Sequence, residues 1–154
     1  MPRLRMIAGP NGSGKSTLTD DLRINYPLHF GFYINADEIE KILKQNGKFG
    51  FRKFKLSIQL ADFTSFFKGH PLFKKCGVIN FEIRRNTFYL TTPLLNFSYF
   101  ATVFADFCRY ELIKVQHSFT FETVMSDMIK LICFLMQRKK VTGFIYTLFI
   151  LYLY

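Results

Sequence analysis

Residues 9–17 read Gly-Pro-Asn-Gly-Ser-Gly-Lys-Ser-Thr. Gly9, Gly14, Lys15 and Ser16 occupy the defining places of the pattern G-x-x-x-x-G-K-[ST]. The residue types explain the spacing. Glycines let the backbone turn tightly and aim its N–H groups at phosphate oxygens. A helix beginning at the end of the run adds the positive end of its dipole. Lys15 is expected to reach the β- and γ-phosphates of ATP, and Ser16 to hold Mg²⁺ through its hydroxyl. The binding segment is therefore read as Gly9, Pro10, Asn11, Gly12, Ser13, Gly14, Lys15, Ser16 and Thr17. The plainer alternative is a glycine-rich turn with an exposed lysine. A dinucleotide-binding fingerprint is not met, because Thr17 stands where its third glycine belongs.

The flanks suit the loop. Residues 3–8 (RLRMIA) form a short apolar-rich run fit for a strand, and residues 16–23 (STLTDDLR) can continue as a helix. Further on, residues 30–35 (FGFYIN) predict a second strand, followed by a helix that Asn35 or Asp37 caps and Asn46-Gly47 ends. A basic, phenylalanine-rich stretch follows over residues 48–75, with a helix predicted over 56–67 and broken at Gly69-His70-Pro71. Residues 78–83 and 87–91 read as a β-hairpin around Arg84-Arg85-Asn86. In the helix predicted over 98–114, Phe100, Val103, Phe104 and Phe107 recur on one face, with Asp106 and Arg109 on the wet side. Residues 118–122 (SFTFE) predict a strand, 127–139 a buried helix, and 144–150 a strand covered on both faces. Strands alternating with helices predict an α/β fold with a parallel sheet.

Two acids stand at the ends of predicted strands. Ligands of open α/β sheets bind beyond the carboxyl ends of the strands. Asp37 could there accept a proton from an acceptor hydroxyl, or simply cap its helix. Glu122 could bind substrate hydroxyls, orient Mg²⁺ or water, or only favour a helix dipole.

Composition narrows the classes. The chain has 154 residues, 49% hydrophobic and 21% charged, enough for a packed core. Its 20 phenylalanines and net charge of +10 stand out. The charge suits an anionic partner. Cys76, Cys108 and Cys133 are odd in number and widely spaced, which argues against a disulfide framework or a zinc site. A reducing, cytoplasmic setting is expected. The loop begins too early for a signal peptide, and the charge-free runs 86–105 and 141–154 are too polar or too short for a membrane helix. The three histidines are isolated in sequence, and no catalytic triad can be assembled. The basic stretch 48–75 could bind nucleic acid. Its phenylalanines fall at core-like spacing, so a solvated basic face over a packed helix is the expected reading.

Taken in order, Gly-Pro-Asn-Gly-Ser-Gly-Lys-Ser-Thr, Asn35-Ala36-Asp37-Glu38-Ile39 and Ser118-Phe119-Thr120-Phe121-Glu122-Thr123 resemble the zeta toxin family of P-loop kinases. The likeness runs over nearly the whole chain, including a basic insertion at about 48–97 with a helix and hairpin. It implies one P-loop NTPase three-layer sandwich with a mostly parallel sheet. It implies transfer of the ATP γ-phosphate, with Mg²⁺, to a hydroxyl of a sugar nucleotide such as UDP-N-acetylglucosamine. By that likeness Lys15 binds phosphates, Asp37 is the catalytic base, and Glu122 with Thr123 contacts the substrate. An antitoxin protein is a partner in part of the family. Two departures matter. Val124 stands where members often carry Thr. The family's lid, whose arginines clamp the transferring phosphate, has no counterpart before Tyr154, so a C-terminally truncated member with weakened transfer is expected. A nucleotide-binding ATPase or regulatory module is the main alternative.

Overall fold

The computed structural model describes residues 1–26, 30–77, 79–93 and 95–123, and the backbone of 145–150. The helix expected over 127–139 lies outside the described residues. The chain forms two compact units: Met1–Ile34 with Leu112–Tyr154, and Asn35–Glu111. The segment 48–97 falls within the second.

The first unit is built on a parallel sheet. Strand β1 (Arg3–Ala8) leads through the glycine loop into helix α1 (Lys15–Asn25). Strand β2 is Phe32–Ile34, and the two later strands of this sheet are Phe119–Thr123 and Ile145–Ile150. Numbered along the chain these last two are β6 and β7, and the order is β2-β6-β1-β7, every pair parallel. In β1 every residue after Arg3 is buried, so alternation is absent, as expected of an inner parallel strand. The pairing sets Ile7 of β1 beside Glu122 of β6, which carries the acid to the loop-bearing end of the sheet. The chain enters β2 at Gly31, at φ +70°, where a Cβ would collide with the Ser118 backbone carbonyl.

The second unit holds helix α2 (Ala36–Asn46), strand β3 (Lys48–Gly50), a 3₁₀ turn at Phe51–Phe54, and helices α3 (Leu60–Lys68) and α4 (Phe73–Cys76). Strands β4 (Phe81–Arg84) and β5 (Thr87–Leu90) follow, then helix α5 (Phe97–Lys114), whose last turn passes into the first unit. The β3-β5-β4 sheet is antiparallel. Asn35 caps α2 through its side chain, and Gly47 closes it. Glu40 and Lys44 pair on its outer face. The hairpin turns at Arg85 and Asn86, both at positive φ, the pattern of a two-residue hairpin loop.

Three expectations need correction. The helix predicted from residue 56 begins only at Leu60. Asn86 explains the delay: its amide donates to the Leu56 carbonyl and accepts from the Ile58 N–H, holding that stretch extended against the hairpin. Strand β3 was not expected, because three residues with one apolar side chain carry no periodicity. Arg109 does not lie on a wet face. It is 7% exposed, and with His70 it is bonded to Asp106. The turn after α3 brings His70 to Asp106 on that side of α5.

Phenylalanine fills the second unit. Phe49, Phe51, Phe63, Phe88, Phe100, Phe104 and Phe107 are among its fully buried side chains. Phe63 alone meets Phe67, Phe81, Phe88, Phe100, Phe104 and Phe107 at centroid distances of 4.9–6.4 Å. All but the stacked Phe63–Phe67 pair are tilted or edge-on, geometries that add to the gain from burial.

Candidate functional site

The loop between β1 and α1 has the geometry of an anion cradle. Gly12 and Gly14 sit at φ +82° and +80°, a conformation that L side chains adopt only with strain. Among the described residues no side chain caps α1, and its first turn contains no acid. Its leading N–H groups are left for an anion. The Lys15 ammonium lies back over the loop, donating to the carbonyls of Gly9 at 2.9 Å and Pro10 at 2.7 Å. These are neutral acceptors, so a phosphate would compete for the same charge.

A second set of residues converges on Glu122. The Thr19 hydroxyl donates to its Oε1 at 2.5 Å and the Tyr33 hydroxyl to the same oxygen at 2.7 Å. The Ser16 hydroxyl donates to Oε2 at 3.4 Å. Ser16 and Thr19 sit one turn apart on α1, and Arg23, one turn further, lies 5.3 Å from the Tyr33 ring centre. The Thr123 carbonyl accepts from the Gly9 N–H at 3.3 Å, tying the loop to β6. Thus Lys15, Ser16, Glu122 and Thr123 are assembled in one unit.

Asp37 belongs to the other unit. Its N–H donates to the Asn35 side chain at 2.8 Å, so Asn35 is the cap and the Asp37 carboxylate is not. That carboxylate is exposed in the first turn of α2.

The oxygens of Ser16 and Glu122 suit a hard cation such as Mg²⁺, which takes few protein ligands and shares the rest with phosphates and water. Among the described residues no group of three or more His, Cys, Asp or Glu side chains could cage a metal by itself. The donor set fits Mg²⁺ held jointly with a nucleotide. Comparison with protein-family models, with curated proteins and with solved structures found no match. The site therefore stands on its own residues.

Sequence reasoning missed Thr19 and Tyr33. Signals were present: a polar stripe Ser16, Thr19, Arg23 along α1, and one hydroxyl in the otherwise apolar run Phe32-Tyr33-Ile34. The basic segment carries its lysines outside, while Phe49, Phe51, Phe54, Phe63, Phe66 and Phe67 are buried and offer no rings for stacking bases. Among the described residues no helix is long and apolar enough to cross a membrane.

Proposed function

We propose that the chain is a P-loop kinase-type protein that binds ATP with Mg²⁺ and passes the γ-phosphate to a hydroxyl of a sugar nucleotide. The observation that carries the reading is the uncapped start of α1, with Lys15 over its loop and Ser16 bonded to Glu122. The sheet order supports it, since the loop-bearing strand β1 and the acid-bearing strand β6 are neighbours.

In this reading the N–H groups of the loop and the Lys15 ammonium hold the β- and γ-phosphates. Mg²⁺, when bound through Ser16, neutralises phosphate charge. Asp37 accepts the proton of the acceptor hydroxyl as its oxygen bonds to the γ-phosphorus. The bond from that phosphorus to the bridging oxygen breaks, and ADP leaves. The assignment of Asp37 rests on the family resemblance and on its place just after β2.

Calorimetric titration of ATP with MgCl₂ tests the proposal. Binding by the wild-type chain that is lost in Lys15→Ala is the expected result, followed by phosphorylation of a UDP-sugar. A folded protein that binds no nucleotide would overturn it. A second reading, an ATPase or regulatory module, draws on one observation: Glu122 is turned toward Ser16 of the loop. Phosphate release without any sugar acceptor would favour that reading.

A further inference from the structure

The first unit places a hydrogen-bonded threonine where a helix normally buries an apolar side chain. Thr19 is 1% exposed and is the buried residue of α1. Burying a hydroxyl is unfavourable without a partner, and here the partner is Glu122. Tyr33 comes to the same carboxylate from β2, its ring held by the Arg23 guanidinium.

The two donors divide the carboxylate. A carboxylate oxygen has two lone pairs, and Oε1 receives both Thr19 and Tyr33. Among the described residues Oε2 receives only the long Ser16 contact at 3.4 Å. The remaining acceptor capacity of Glu122 is therefore at the oxygen beside the loop serine.

We propose that Thr19 and Tyr33 are positioning residues that lock Glu122 onto the loop serine, so that this acid serves the loop-bound cation rather than an acceptor hydroxyl. This rests on the nucleotide-binding reading above and departs from the substrate contact that the resemblance implies. Thr19 and Tyr33 touch neither nucleotide nor acceptor in this scheme. They act by fixing the rotamer of Glu122 and filling Oε1.

The test is the gain in ATP affinity on replacing EDTA with MgCl₂, measured by calorimetry on the full chain. Thr19→Val and Tyr33→Phe are each expected to reduce that gain about tenfold, as removal of groups that orient a metal ligand does. Affinity in EDTA, which reads the loop and Lys15, is expected to stay within about twofold of wild type. Thr19→Ser keeps the hydroxyl and is expected to restore the gain, which a merely space-filling role would not predict. If the wild-type chain binds ATP and both variants retain its full magnesium gain, the proposal fails while the nucleotide-binding reading stands. Equal losses with and without magnesium, or a change confined to the KM of the sugar acceptor, would also overturn it. If the wild-type chain binds ATP under neither condition, both fall together.

Discussion

The two units differ in how they gather polar groups beside their cores. In the first, Thr19, the buried residue of α1, and Tyr33 of β2 are joined through one carboxylate of β6, Glu122. In the second, interior positions are rings packed on rings, and the cations rest on aromatic faces. Lys53 lies 4.3 Å from the Phe49 ring centre and 4.8 Å from that of Phe54, and partial desolvation beside these rings lowers its pKa. Lys44, Lys75 and Arg84 lie over Phe97, Tyr99 and Tyr89. Positive charge is thus plentiful where little converges, and the candidate site forms where three hydroxyls meet an acid. Net charge points to a kind of partner, whereas convergence points to a place.

The comparison breaks most readily at Phe63. Its side chain is fully buried among six other rings. Phe63→Ala is expected to cost about 3–5 kcal/mol in urea unfolding. A loss below about 1 kcal/mol would mean that the ring cluster is loosely packed and does not carry the second unit. Asp106→Ala should cost less, about 2–3 kcal/mol by the same measurement, by removing the acid that Arg109 and His70 share. The carboxylate accepts from Arg109 at 2.5 Å and faces His70 at 3.2 Å. His70 accepts the Leu72 N–H at its Nδ1, so its Nε2 carries the hydrogen toward Asp106. A loss equal to that of Phe63→Ala would place a polar pivot on a par with the rings.

How much of this was legible depends on the kind of signal. The loop and β1 were plain because each residue type there answers a separate need: turning, charge, or burial. The helix over Phe97–Lys114 was plain because Phe100, Val103, Phe104 and Phe107 repeat on one face. The burial of Arg109 was not, since His70, which shares Asp106 with it, is far away in sequence. The late start of α3 was hidden for the same reason: Asn86 holds Leu56 and Ile58 from across the hairpin. The site shows both cases. Lys15, Ser16 and Glu122 follow from local pattern, whereas the roles of Thr19 and Tyr33 depend on strand order, which local pattern does not encode.

Alkaline pH should sharpen the contrast. Burial raises the Cys76 thiol from 9.0 to about 11 and the Cys108 thiol further still. A raised thiol pKa means that the unfolded chain loses its proton first. The stability held by the neutral thiol is complete below pH 9 and is lost as pH rises toward 11 for Cys76. Cys76→Ala should flatten that part of the stability–pH curve, read by urea midpoints between those limits. An unchanged slope would show that the thiol is wetter than its 1% exposure implies.

The smallest expected effect lies in β1 itself. Arg5 is 8% exposed in an inner strand, and its Nη1 is buried without a hydrogen bond among the described residues. Burial and the nearby Arg3 cation both lower its pKa, which marks the charge as unfavourably placed. Unlike Thr19, it is not bonded to Glu122. Arg5→Met keeps the length of the side chain and removes the charge, so it should raise stability by about 1 kcal/mol. ATP affinity should not change, because the contacts assembled around Glu122 do not include Arg5. If stability rises and affinity falls, Arg5 has a part in the nucleotide site, and the polar interior of the first unit extends beyond one carboxylate. If stability falls, the guanidinium has a favourable setting in the sheet, and the contrast between the units rests on Glu122 and its three hydroxyls alone.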